Sequence, residues 1–422
     1  MSPQTAPHHQ TESQPDSLIE SRYAWARLGA NIAIGTIGGV GMWSIVVALP
    51  AVQAEFGALR AGASLPYTLT MLGFVVGVVL MGRLADRFGI VVPVALGATI
   101  MSLGYVLASF ATSLTMLALI YGIAIGMLGA SALFGPLLAD ASLWFDKRRG
   151  LAIGLSASGN YFAGAIWPPV VEHFIAEFGW RQTHIGIGLF CLVTILPLCL
   201  MLRRRPPRQA PMAATARNPG NAARPLGLAP NTVQVLLLFA GLGCCVAMSM
   251  PQVHIVAYCV DLGYGPARGA EMLALMLGCG IVSRLASGWI LDRIGGLATL
   301  LLGAILQGLA LSFYLPFDGL ASLYVISGLF GLVQGGIVPS YAFIVRELFP
   351  PQQAGLRVSL AISSTLGGMA LGGWMSGYIF DLTGSYQAAL LNGLAFNLLN
   401  VSIIGWMLLR QRGRQREALA AA

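Results

Sequence analysis

Gly82-Arg83-Leu84-Ala85-Asp86-Arg87-Phe88-Gly89 and Gly288-Trp289-Ile290-Leu291-Asp292-Arg293-Ile294-Gly295 share one pattern, GxxxDRxG, set 206 residues apart (288 − 82). Each copy follows the second long apolar run of its half of the chain and precedes the third. One such octapeptide arises by chance; two at equivalent positions mark an internal repeat. Glycine suits close helix packing and a sharp turn. The Asp/Arg pair can build a charge network at a membrane edge, where a neighbouring helix end offers a dipole. Asp140 and Glu347, near the ends of the fourth and tenth runs, are the expected acidic partners. Together with Gly82, Asp86, Arg87, Gly89, Gly288, Asp292, Arg293 and Gly295 they form a candidate gating set, whose contacts would exist in one conformational state only. The plainer alternative is a static turn with a surface ion pair.

A bilayer core of about 30 Å needs about 20 apolar residues per helix. Twelve runs meet that need: 29–50, 64–84, 90–110, 114–141, 149–172, 184–202, 232–259, 267–290, 297–315, 320–345, 356–380 and 386–409. The period-two alternation of a membrane barrel is absent, so helices are expected. The 422 residues are 56% hydrophobic and 9% charged, with a mean hydropathy of +0.76, whereas soluble domains carry about 25% charge. Residues 203–230 break the pattern: they open Arg203-Arg204-Arg205-Pro206-Pro207-Arg208 and continue rich in Ala, Pro, Asn and Arg, a polar linker. The expected organisation is an all-α polytopic membrane protein. It comprises a tail (1–28), a six-helix bundle (29–202), a linker (203–231), a second six-helix bundle (232–409) and a second tail (410–422).

Positive charge orients this arrangement. With the N-terminus on the cytoplasmic side, inner loops and tails hold 20 of the basic residues and the outer loops hold only Arg60, Arg181 and Arg268. Basic loops stay inside, so both termini are expected in the cytoplasm of a multi-pass cell-membrane protein. The net charge of +8 is thereby explained without nucleic acid. The polar first twenty residues do not form a charged-then-apolar leader. Cys191, Cys199, Cys244, Cys245, Cys259 and Cys279 all lie in apolar runs with no metal-ligand spacing, so neither a disulfide framework nor a metal or other cofactor is expected.

The doubled motif within two six-helix halves resembles the major facilitator superfamily, from residue 29 to 409. That resemblance implies two bundles around a midplane cavity that opens alternately to either side. The loop into the fifth run narrows it. Trp144-Phe145-Asp146-Lys147-Arg148-Arg149-Gly150-Leu151-Ala152-Ile153-Gly154-Leu155-Ser156-Ala157-Ser158-Gly159, followed by Gly164, is similar to the aromatic-Phe-x-Lys-Arg-Arg-x-Leu-Ala-x-Gly-x-Ala-x-Gly signature of monocarboxylate porters. Ser158 stands where that family more often has Ala. Related bacterial carriers, the oxalate/formate-type exchangers, share parts of it.

Substrate choice should rest on polar groups inside the membrane. Arg284 is foremost, since an arginine at the centre of a spanning helix costs about 3 kcal/mol on insertion scales. Gly280, Ser283, Ser287 and Gly288 leave room around it, while Glu271 lies thirteen residues before and Asp292 eight after. A fixed cation with no nearby acid suits a carboxylate, which a guanidinium grips with two bonds. The alternative is an arginine snorkelling to the cytoplasmic edge. Monocarboxylate porters carry an arginine in the eighth helix four residues before a glycine, and Arg284 with Gly288 matches. Their acid one turn earlier is replaced here by Gly280, and their first-helix lysine has no counterpart in 29–50. His254, after Pro251 and Gln252, is a candidate proton acceptor at the outer mouth of the cavity, or an imidazole bonded to backbone. Tyr121, Asn160, Gln334, Tyr341 and Ser364 complete the substrate-binding set, with Tyr161 and Ser363 as further polar candidates and inter-helix bonding as the competing role for all of them.

The resemblance thus implies a monomeric carrier of small organic anions, monocarboxylates first, acting by alternating access with a proton as a possible co-substrate. A multidrug or sugar exporter or a dicarboxylate exchanger is the alternative. No enzyme is expected, because no nucleophile–base pair or acid cluster occurs, and no GxxxxGK[ST] phosphate loop supports ATP-driven transport.

Overall fold

The computed structural model describes residues 19–204 and 225–420. The expected tail over 1–18, most of the linker (205–224) and the last two residues lie outside the described residues. Ten helices are long and apolar enough to span a membrane. The longest of them is two helices joined at Gly179, whose φ of 78° breaks the helical path, and the 17-residue helix Gly296–Ser312 is apolar but shorter. Together these make twelve spans among the described residues, in chain order α1 (Arg22–Phe56), α2 (Arg60–Phe88), α3 (Val91–Ser109), α4 (Leu114–Trp144), α5 (149–178), α6 (180–200), α7 (Pro230–Asp261), α8 (Pro266–Ile294), α9 (Gly296–Ser312), α10 (Leu320–Leu348), α11 (Pro351–Thr383) and α12 (Tyr386–Ala420). They form two six-helix bundles, as the apolar runs indicated.

Several helices outrun their apolar segments. α1 begins at Arg22, where the Ser21 hydroxyl caps the Ala24 amide, so Arg27 lies within the helix. α12 continues through the arginine-rich stretch 410–416 to Ala420. Polar residues extend a helix readily once the apolar part has nucleated it, because each added residue gains a backbone bond at little cost.

Glycine sets how closely helices approach. In the first bundle a Cβ at Gly73 or Gly77 would strike carbonyls of α4, and one at Gly126 would strike Thr70 of α2. In the second, a Cβ at Gly331 or Gly335 would strike carbonyls of α8. The α2–α4 and α8–α10 contacts are thus equivalent backbone-to-backbone seams, made where small residues permit them. The repeat extends to the loop motif. Gly89 adopts φ 82°, ψ 167° and Gly295 φ 81°, ψ 167°, a region open almost only to glycine.

Three cavity-side helices are interrupted. α1 tightens at Gly39, α4 winds as a π-helix over Tyr121–Ala130, and α10 breaks at Gly335–Gly336. Discontinuous spans are tolerated only where protein or a cavity satisfies the freed backbone groups.

The first correction to the sequence expectation concerns Asp140. It pairs with Arg27, not with Arg87: Nε and Nη2 of Arg27 lie 2.8 and 2.7 Å from the two carboxylate oxygens. Both side chains are buried (1% and 4% exposed), beneath Trp144, whose ring centre is 4.6 Å from the guanidinium. The helix starts seven residues before its apolar run, and that extension carries Arg27 inward. Replacing Asp140 by Asn leaves a buried cation unmatched, at a cost of about 3–5 kcal/mol. Asp140→Asn is therefore expected to melt well below the native protein in detergent, and Arg27→Met combined with Asp140→Leu to regain most of the loss. Equal melting of Asp140→Asn and the native chain would refute this role.

Candidate functional site

A cavity of about 380 Å³ lies between the bundles, walled by α1, α2, α4, α5, α7, α8, α10 and α11. From the level of Tyr67, Gln252 and Met369 it runs toward the end bearing the 203–230 connection, reaching Val79, Leu138 and Ser359. Arg284 is the only charged side chain on its wall among the described residues.

The partners of Arg284 are two carbonyls and a ring. Nη1 donates to Ala157 O at 3.0 Å and Nε to Gly335 O at 3.3 Å. The Gly335 carbonyl is available because α10 breaks there, and the Ala157 carbonyl comes from the small-residue face of α5. The guanidinium carbon sits 4.4 Å from the centre of the Tyr161 ring. A Cβ at Gly280 would collide with that same ring. The absent acid at 280 is therefore explained: Tyr161 fills its space, and an aromatic face meets the cation. Two of the five guanidinium donors are engaged by these carbonyls, and the Tyr161 side chain also interacts with the guanidinium. Tyr161 was among the polar candidates of the fifth run; that its ring lies against Arg284 is what the structure adds.

The other expected site residues separate. Asn160 joins Arg284 on the cavity wall, and its Oδ1 is buried without a partner. Gln334 stands one layer back, accepting from Nε2 of the wall residue Gln252 at 2.7 Å. Tyr121 is not on the wall: it is buried within the first bundle, 2.6 Å from His184 Nε2 and 3.3 Å from Ser44. Tyr341 bonds Asn400 of α12 at 3.0 Å, and Ser364 donates to Ala361 O of its own helix at 2.8 Å. Tyr121 and Tyr341 thus bond across helices, the commoner use of polar groups in packed bundles, while the Ser364 hydroxyl is satisfied by its own backbone. His254 is wholly buried, with Nε2 2.7 Å from Gly373 O and Nδ1 3.2 Å from the Tyr386 hydroxyl. A carbonyl only accepts, so Nε2 carries the hydrogen. His184, buried between Tyr121 and the Trp180 carbonyl, was overlooked because it begins an apolar run.

The opposite end of the cavity is shut by charge. Arg60, at the start of α2, places Nη2 2.8 and 2.9 Å from the carboxylate oxygens of Asp261 on α7. Asp381 on α11 accepts from the Arg60 and Ala61 amides at 2.7 and 2.8 Å, so a carboxylate of one bundle caps a helix N-terminus of the other. Phe380 lies under the guanidinium at 4.8 Å. Sequence had Arg60 only as an outer-loop cation. At the open end, by contrast, Asp86, Arg87, Asp292 and Arg293 are exposed. Arg87 sits over Phe88 and Arg293 over Trp289, while Glu347 accepts from the Gly296 amide beside Gly295 at 3.2 Å.

Comparison with known proteins follows from this geometry. A family model described as Major Facilitator Superfamily matches residues 32–320 and 272–422. Monocarboxylate transporter 13 of Bos taurus is 30% identical over 352 residues, covering 81% of this chain and 78% of that protein. Agnestins efflux protein AgnL12 of Paecilomyces divaricatus is 25% identical over 331 residues, 76% of this chain and 72% of that one. The crystal structure of a bacterial homolog to the human lysosomal transporter Spinster, inward-facing and occupied, superposes with a TM-score of 0.70 at 15% identity, covering 92% of this chain and 97% of that one.

The Arg60 cluster bridges the bundles, so weakening it should free the closed end. Spin labels at the exposed positions Leu59 and Leu382 (71% and 69% exposed) would report their separation. In Asp381→Ala the long-distance population is expected to grow relative to the native background. An unchanged distribution would mean that the cluster does not hold the closure.

Proposed function

The chain belongs to the major facilitator superfamily, and from that premise we propose that this multi-pass transporter carries small organic anions, chiefly monocarboxylates, with Arg284 binding the carboxylate. The observation that carries the proposal is the pairing of Arg284 with carbonyls and an aromatic face, on a wall without any other charge. A guanidinium so placed keeps its charge in a low-dielectric site, where a bidentate carboxylate is its best partner. The similarity to a protein named monocarboxylate transporter 13 supports the same substrate class. Net export is the second direction of movement, supported by the similarity to a protein named as an efflux protein.

The transport cycle alternates two closures. The Arg60–Asp261–Asp381 cluster seals one end while the cavity faces the other. In the opposite state that cluster parts, and the exposed Asp86/Arg87 and Asp292/Arg293 motifs find partners as their end closes. Each closure exists in one state only, as alternating access demands. The 20-to-3 distribution of basic residues assigns the open end to the cytoplasm and both termini with it, in the cytoplasmic membrane, with the chain acting as a monomer.

The proton, where transport is coupled to one, is assigned to His254. It lies beneath the closed end between Gly373 of α11 and Tyr386 of α12, with Arg60 and Asp381 as its charged neighbours. A second hydrogen on Nδ1 would turn the Tyr386 hydroxyl from donor to acceptor and set a new cation against Arg60, weakening the closure.

Two substitutions test the proposal in proteoliposomes. Arg284→Lys and Arg284→Gln are each expected to lower monocarboxylate uptake at least about a hundredfold, the loss of a bidentate charged contact, with normal insertion. Uptake unchanged in Arg284→Gln would sink the assignment. An inward proton gradient is expected to stimulate uptake in the native protein and not in His254→Gln; equal stimulation of both would remove His254 from the cycle.

A further inference from the structure

Resting on the reading of Arg284 as a carboxylate anchor, we infer that the substrate is a monocarboxylate with an aromatic body, of the arylacetate type, and neither a two- or three-carbon acid nor an amino acid. Size comes first. The cavity's 380 Å³ falls within the range of about 300–1,000 Å³ that houses drug-sized ligands. A three-carbon acid held at Arg284 would leave most of it to water against apolar walls.

The chemistry of the walls is more specific. Met42, Met71, Met248 and Met369 face the same space as Trp43 and Phe74. Thioethers are polarizable, adapt their rotamers and favour contact with aromatic rings, and aromatic walls favour offset or edge-on ring partners. Such a surface returns little to a hydroxy or keto group. Two of the wall's donors are already engaged, Gln252 Nε2 with Gln334 and Trp43 Nε1 with the Asn160 backbone carbonyl at 3.3 Å. The route out is equally apolar, past Val75, Val78 and Val338.

Charge excludes the amino acids. No carboxylate lies on the cavity wall among the described residues, so a substrate ammonium would be desolvated without a partner, which disfavours binding. Two buried wall atoms, the Tyr67 hydroxyl and Asn160 Oδ1, have no protein partner. Neither supplies the charge an ammonium needs.

Binding of acetate, lactate, phenylacetate and phenylalanine to the purified full-length chain in nanodiscs tests this. Phenylacetate is expected to bind at least about tenfold tighter than acetate or lactate, since even one methylene in a fitted pocket is worth about tenfold. Phenylalanine is expected to bind no better than acetate, and Arg284→Gln to abolish all carboxylate binding. Ser363→Phe, which adds a ring to the wall, is expected to lower the preference for phenylacetate over acetate. Equal affinities for the three simple acids that still require Arg284 would overturn the aryl assignment while leaving the carboxylate reading intact. Phenylalanine binding as tightly as phenylacetate would also overturn it. Phenylacetate binding that survives Arg284→Gln would overturn the anchor itself.

Discussion

A guanidinium within a membrane span must be met by something, and Arg27, Arg60 and Arg284 are met in three different ways. Arg27 has a bidentate carboxylate within its own bundle, Asp140, in a fully buried site. Arg60 has the Asp261 carboxylate, supplied by the other bundle, and the Phe380 ring beneath it. Arg284 has carbonyl oxygens and a tyrosine face. The cost of burying charge is the same in kind for each, yet the consequences differ. A pair inside one rigid body is a structural tie, and a pair spanning two bodies is a latch. A cation without a carboxylate partner keeps its charge uncompensated, and on that the proposed anion site rests.

Tyr161 and Gly280 show how the third case is built. The glycine removes every side-chain atom from the turn before Arg284, and the tyrosine ring of α5 enters that space. The interaction is favourable without neutralising the cation. Because α5 and α8 belong to different bundles, this contact also joins them at the level of the cavity. Arg284 therefore stands both on the cavity wall and in the contact between the bundles.

The repeat gives the two bundles equivalent seams and equivalent turns, down to the torsions of Gly89 and Gly295. Function departs from that symmetry. Asp140 is engaged by Arg27, whereas Glu347 caps the turn at Gly296. α4 is interrupted by a π-helix, and α10 by two glycines that free a carbonyl for Arg284. Near-symmetric frames with unlike polar groups leave Arg284 on one bundle alone, while both bundles supply the apolar wall.

Twelve spans, the two halves and the doubled motif were legible in the sequence. Hydropathy and charge placement act locally along the chain, and the bilayer enforces them on each helix separately. Arg284 was legible for the same reason, as the one charge far from any run's end. What lay beyond reach depended on which helices meet. Sequence proximity to the cytoplasmic edge suggested Arg87 for Asp140, and only the early start of α1 brings Arg27 to it. Tyr121, Tyr341 and Ser364 looked like cavity groups because polarity in an apolar run says nothing about the direction a side chain faces. The Arg60 latch joins residues 201 and 321 positions apart, and the ring that replaces the missing acid at Gly280 comes from the other bundle. Sequence determined that a charge must be satisfied; tertiary structure decided by what, because the partner is chosen by packing between helices and not by spacing along one.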